Sequence, residues 1–190
     1  MTPSATLGRR IAVYGPSGSG KTTLGRQLGE LLNLPVVELD EINHMPGWQE
    51  RPKDVFRAIL AERINEYKDG WVCDGNYGGK VRSLLMPQAE TIVWLQLPFR
   101  VVYWRLLSRT IVRSLRREEL WNGNRESFRM AFFSRESILL WGITHWRAHR
   151  RSFERDLARY EHTDDVRILR SSREVAMLVA GLGAEQAAPP

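Results

Sequence analysis

The chain has 190 residues, 43% of them apolar and 26% charged, with a formal net charge of +6 and a single cysteine. That length suits one domain with a real core, and no apolar run approaches the roughly 20 residues that cross a bilayer. Cys73, alone, excludes an internal disulfide and points to the reducing cytoplasm, and "MTPSATLGRRIAVYG" carries no apolar segment of signal-peptide length before the first strand, which points away from secretion.

In chain order, "RRIAVYG" predicts a short buried strand ending in "GPSGSGKTT", Gly15 to Thr23. Gly15, Gly20, Lys21 and Thr22 satisfy G-x-x-x-x-G-K-[ST]. In such a loop, glycines let successive backbone N–H groups turn inward around phosphates, and the helix that follows adds its positive end. Gly15, Pro16, Ser17, Gly18, Ser19, Gly20, Lys21, Thr22 and Thr23 are therefore expected to cradle ATP. Lys21 reaches the β- and γ-phosphates and Thr22 ligates Mg²⁺.

Leu24, Leu28, Leu31 and Leu32 mark one face of the next helix, which Asn33 and Pro35 end. "PVVELD" predicts a second strand. A loop with Pro46, Gly47 and Pro52 leads to a helix from about Lys53 to Lys68, with Val55, Ile59, Ile64 and Tyr67 on or near its apolar side. "WVCDG" and "TIVWLQL" predict the third and fourth strands. Pro98 opens a long arginine-rich helix, polar "REELWNGNRES" follows, and a helical region holds Phe128, Phe132, Ile138, Leu139 and Trp146. "VRILR" predicts the fifth strand, and Ser171 and Glu174 have the spacing of a capping box for a last helix.

Strands alternating with helices predict an α/β fold of P-loop NTPase type, a five-stranded parallel sheet in three layers, with ligands beyond the carboxyl ends of the strands. Gly15, Asp40, Asp74, Pro98 and Ser171 all follow strands. Two acids compete to anchor the metal's water shell. "VVELDE" imitates the acidic strand of motor ATPases, but the chain is too short for their second domain, and Asp74 in "WVCDG" is the better metal residue.

The P-loop, "DGNY" at Asp74 to Tyr77, the arginines after strand four and "RSSREV" after strand five resemble the adenylate-kinase-like P-loop kinases. With "PGW" at Pro46 to Trp48, the resemblance is nearest to the bacterial DNA-topology-modulation or flagellar-regulation group. It implies a sheet of nucleoside-monophosphate-kinase type, an acceptor-binding segment at 41–69, a helical lid at about 109–146, and a core made of 8–40, 70–100 and 165–182, all in one domain over 1–190. It also implies phosphoryl transfer from ATP to a small acceptor, with Ser171 at the nucleotide site. Adenylate kinases carry "DGFPR" where this chain has Asp74-Gly75-Asn76-Tyr77-Gly78, so the arginine that would grip a nucleoside monophosphate is missing.

Glu38 and Asp40 form an acid-x-acid pair that alternation aims to one face of the second strand. The pair looks like the D-x-D of shikimate-kinase-like enzymes, and by that analogy Asp40 orients or deprotonates an acceptor hydroxyl. His44, Trp48 and Arg51 sit where a pocket needs polar and aromatic walls, while Lys80 and Arg82 are either acceptor-holding cations or solvated charges. His145 and His149, lacking a third ligand at motif spacing, do not read as a metal site.

Arg105 and Arg109 share a helix face just after strand four. The spacing resembles the paired arginines of nucleotide kinases, one bordering adenine and the other reaching the transferring phosphoryl. Arg113, Arg116, Arg117, Arg125 and Arg129 are further lid candidates. Trp94, Trp104, Trp121, Trp141 and Trp146 read as core or lid packing before base stacking. Nucleic acid is a possible but not the favoured partner, because no helix-turn-helix or RNA-binding signature accompanies the arginines. The sequence therefore points to a small cytoplasmic ATP- and Mg²⁺-dependent kinase of unassigned oligomeric state. The alternative is a P-loop ATPase or regulator affecting DNA topology or transcription.

Overall fold

The structure is a computed structural model and describes residues 7–116, 118–125, 146–160 and 165–187. Arg117, Arg129, Phe128, Phe132, Ile138, Leu139, Trp141 and His145 fall outside the described residues, as do the side chains of Arg147 and His149. The elements in order are β1 (Arg10–Tyr14), α1 (Lys21–Leu32), β2 (Val36–Glu38), α2 (Leu39–Asn43), β3 (His44–Met45), β4 (Gln49–Glu50) and α3 (Lys53–Glu66). There follow β5 (Trp71–Asp74), α4 (Gly78–Leu85), β6 (Thr91–Leu95), α5 (Phe99–Arg116), α6 (Trp146–Arg159), β7 (Asp165–Leu169) and α7 (Ser172–Ala187). A short 3₁₀ turn at Trp121–Gly123 lies between α5 and α6.

Five strands form one parallel sheet in the order β2-β5-β1-β6-β7, and β3 and β4 pair separately as a small antiparallel ribbon. Alternation along the strands sorts two cores. Ile11 and Val13 pack with Leu24, Leu28 and Leu182 on one face, beneath α1 and α7. Ala12 and Tyr14 pack with Phe56, Leu60, Val81 and Phe153 on the other, beneath α3, α4 and α6. Both faces of the central strands are covered, which is why β5 and β6 are buried along their whole length.

Several sequence-based expectations need correction. The second strand ends at Glu38, and the chain turns at once into α2, so Asp40 sits in the first turn of a helix and strand alternation does not set its direction. On α3 the buried stripe is Phe56, Leu60 and Ile64, each four residues apart, and full burial of such a side chain contributes about 1.5–3 kcal/mol. Val55 lies off that stripe and is 45% exposed. The helix α4 was not foreseen, because two glycines at its start weaken the local helical signal. Trp104 is 67% exposed and is not a core residue.

Candidate active site

The loop after β1 takes its shape from glycine. Gly18 has φ +86°, and a Cβ there would lie 2.6 Å from the Val102 carbonyl oxygen and 2.8 Å from Leu106 Cβ, so only glycine lets the loop lie flat on α5. Gly20, at φ +95°, turns the chain into α1 in the left-handed region. The Ser19 amide closes the loop on the Pro16 carbonyl at 3.0 Å, and the Lys21 ammonium reaches the same carbonyl at 3.4 Å. Asn76, from the "DGNY" segment, holds the first glycine at both ends. Its Nδ2 donates to the Gly15 carbonyl at 2.8 Å and its Oδ1 accepts from the Gly15 amide at 3.3 Å.

At the carboxyl end of β5 the Thr22 hydroxyl donates to Asp74 Oδ2 at 2.5 Å. Asp74 is 4% exposed, and its other oxygen, Oδ1, has no partner among the described residues. Burial pushes the Asp74 carboxyl up from its ordinary range, with Asp40 and Glu38 adding in the same direction. Lys21 and the Thr22 hydroxyl pull it down. A buried carboxylate oxygen without a donor is costly unless something cationic or a bound water satisfies it. The donor set of hydroxyl plus carboxylate is the hard-oxygen chemistry that Mg²⁺ prefers, so these residues fit the ion that the loop motif implies.

Next to Asn76, Tyr77 Oη donates to Asp40 Oδ1 at 2.6 Å and lies 3.1 Å from His44 Nε2. Burial and the neighbouring Asp40 push the Tyr77 hydroxyl far above its usual value, which keeps its proton in place. With its O–H directed at Asp40, the Tyr77 oxygen is left to accept from His44 Nε2–H, which sets the histidine tautomer. Around this trio the rings of His44 and Trp48 meet edge-on at 5.3 Å, and Trp121 stacks toward His44 at 6.3 Å.

The Trp121–Gly123 turn is bonded directly to the segment that follows β2. Trp121 Nε1 donates to Glu38 Oε2 at 3.0 Å, Asn122 Nδ2 to the carbonyls of Glu41 and His44, and Asn124 Nδ2 to the Met45 carbonyl at 3.0 Å. In return the Trp48 amide donates to Asn124 Oδ1 at 2.9 Å, and Trp48 Nε1 to the Arg125 carbonyl. Trp48 holds φ +60°, a left-handed conformation that these contacts stabilise.

The other foreseen residues are placed as follows. Arg105 donates from Nη1 to the Ser19 carbonyl at 3.4 Å and from Nη2 to Ser172 Oγ at 2.9 Å, linking the loop, α5 and the start of α7. Arg109 lies one turn further on and is half-buried. Ser171 completes the capping box with Glu174, its Oγ accepting from the Glu174 amide at 3.1 Å, so its side chain is committed to the helix end. Arg82 is neither a solvated charge nor open to a ligand. It is 4% exposed, faces Tyr14 and Phe153, and pairs with Asp156. Lys80 is bound to Glu50 at 2.6 Å and to Asn43 Oδ1 at 2.9 Å. Tyr77, Asn76 and Trp121 were not singled out from sequence as site residues. The only signal for the first two was membership of "DGNY", and Trp121 lies too far along the chain to suggest a bond to Glu38.

No protein-family model matches the chain. Among curated proteins, it is 28% identical over 124 residues to threonine synthase-like 1 of Mus musculus, covering 59% of this chain and 17% of that one. It is 36% identical over 84 residues to the shikimate kinase of Baumannia cicadellinicola, covering 40% and 48%, and 28% identical over 110 residues to that of a Sulfurihydrogenibium species, covering 52% and 66%. The matches thus span between 17% and 66% of these relatives' lengths. The crystal structure of a shikimate kinase from Bacteroides thetaiotaomicron superposes with a TM-score of 0.50 at 18% identity, covering 94% of this chain and 98% of that one. The fold is that of the shikimate-kinase type of P-loop protein. No helix among the described residues is long and apolar enough to cross a membrane.

Proposed function

We propose that the chain transfers a phosphoryl group from ATP to a hydroxyl of a small-molecule acceptor. The observation that carries this reading is the pair of carboxylates at the carboxyl ends of two neighbouring strands, β2 and β5, beside the loop motif. Asp74 is tied to Thr22 at the start of α1, and Asp40, just past the end of β2, is oriented by Tyr77. Lys21 would neutralise the transferring phosphoryl, and Thr22 with Asp74 would hold Mg²⁺, which supplies charge neutralisation and phosphate orientation when bound. Asp40 Oδ2, taken by no described residue, would accept the proton of the acceptor hydroxyl as its oxygen attacks. Arg105 would border the nucleotide base and Arg109 the transferring group.

The division into a core at 8–40, 70–100 and 165–182, an acceptor segment at 41–69 and a lid at about 109–146 belongs to the same proposal, as does a cytoplasmic site of action. "PGW" and "DGNY" support a further placement beside the bacterial DNA-topology-modulation proteins, which implies no DNA contact. The loop is expected to survive replacement of its lysine, because Lys21 is a partly exposed charge with one backbone contact. Lys21→Ala should abolish acceptor-dependent ADP release while leaving the circular dichroism spectrum and melting temperature unchanged. Near-normal turnover in a folded Lys21→Ala protein would rule out phosphoryl transfer at this loop. ADP release that no metabolite accelerates would favour a P-loop ATPase instead.

A further inference from the structure

The chemistry of the acceptor wall narrows the acceptor's class. Two carboxylates, Glu38 and Asp40, meet four rings, His44, Trp48, Tyr77 and Trp121, one of which arrives from the far side of α5. The cations around that wall are already engaged among the described residues. Arg26 pairs with Glu38 at 2.6 Å, Lys80 with Glu50, and Arg63 with Glu41. Arg51 Nε donates to the Ile42 carbonyl, and Arg57 Nη1 to the Lys80 carbonyl and Ser83 Oγ. Arg26, Lys80 and Arg63 are thus each neutralised by a carboxylate of the same wall, which lowers their pull on an anionic acceptor. Asp74 adds a third, buried acid, paired in register with Glu38 across β2 and β5.

We propose that the acceptor is a neutral or cationic polyol, such as a sugar, cyclitol or amino sugar, whose apolar C–H face lies on the rings while its hydroxyls or ammonium address Glu38 and Asp40. This rests on the kinase reading but reaches the pocket independently of it. Carboxylates accept from hydroxyl and ammonium donors and repel a carboxylate or phosphate brought between them. Ring faces attract ammonium groups through their quadrupole and cover apolar sugar faces.

The full chain, with ATP and Mg²⁺, is offered myo-inositol, glucosamine and streptamine against shikimate, gluconate and AMP. ADP release and tryptophan fluorescence are followed for each compound. The expected result is at least ten-fold acceleration of ADP release by one or more of the first three, with saturable quenching that Trp121→Phe diminishes. Glu38→Gln, which keeps an oxygen for Trp121 Nε1, is expected to reduce the discrimination against the anions several-fold. Saturable quenching by a polyol without ADP release would uphold the acceptor class and sink the kinase reading. Turnover or binding of shikimate, gluconate or AMP equal to that of the polyols overturns the proposal, and so does the absence of any response to the three polyols at millimolar concentration.

Discussion

On the proposed function, Asp74 serves two opposed needs. Its carboxylate would have to be charged to anchor an ion, yet β5 buries it between β1 and β2, where charge is disfavoured. Because its carboxyl is raised in the fold, the folded chain binds that proton more readily than the unfolded chain. The cost of the charge is therefore absent below the ordinary carboxylate range and fully present once pH exceeds the folded value. Neutral pH lies on the costly side. In metal- and nucleotide-free protein at pH 7, Asp74→Asn is expected to raise stability by about 1 kcal/mol, since the amide still accepts from Thr22 and carries no buried charge. The same variant should need far more Mg²⁺ for ADP release. Thermal melts with and without Mg²⁺–ATP test both halves. An unchanged or lower melting temperature in the metal-free protein, with normal Mg²⁺ dependence, would mean that Asp74 is only a structural acid.

At the scale of elements, α5 does two jobs along one face. Its first turns press Val102 and Leu106 against Gly18 and bring Arg105 to the Ser19 carbonyl, with Arg109 one turn further along the same face. Arg105→Ala is expected to weaken apparent ATP affinity, because its bonds to Ser19 and Ser172 frame the nucleotide side. Arg109→Ala is expected to lower turnover and the specificity constant together, by roughly 10³-fold if it meets the transferring phosphoryl. Steady-state kinetics on both variants separates the roles, and equal, small effects would leave both arginines as structural contacts. These elements also show where sequence pattern suffices. The loop, its helix and the strand that ends at Asp74 were legible because period-two apolar runs and glycine punctuation are local properties. The capping box at Ser171 was local in the same sense. Asp40's place was not, because "PVVELD" reads as one strand while the backbone turns into α2 after Glu38. The Glu38–Trp121 bond joins residues 83 positions apart, and no local periodicity encodes it.

Over the whole molecule, one ion pair ties α4 to α6 across the second core. Arg82 on α4 lies within 5.1 Å of the Phe153 ring and 5.8 Å of the Tyr14 ring, and it pairs with Asp156 on α6. The partners are unequally buried, 4% exposed for the Arg82 side chain and 26% for Asp156. Removing the acid strands a buried guanidinium, whereas removing the arginine leaves a carboxylate that water can reach. Asp156→Ala is therefore expected to destabilise the fold by about 3 kcal/mol, and Arg82→Met by less, despite the larger side chain changed. Urea denaturation of the two variants gives the order, and the reverse order would show that Arg82 acts mainly through its packed stem.

The hydrogen bonds between the Trp121–Gly123 turn, Asn124 and the segment from Glu38 to Trp48 have a consequence for grafting and substitution. Seen as parts, these are two segments from distant stretches of the chain, the first built on the buried helix α2, and each holds side chains or backbone of the other. Trp48 holds its left-handed backbone against Asn124, and Asn122 and Asn124 spend their amides on carbonyls of the other loop. They form a single cassette split across the chain. Grafting residues 38–50 onto another protein of this fold should yield a misshapen acceptor wall, while grafting 38–50 together with 121–125 should transplant it whole. A substitution at Trp48, Asn122 or Asn124 then acts on both segments at once, whichever of them carries it.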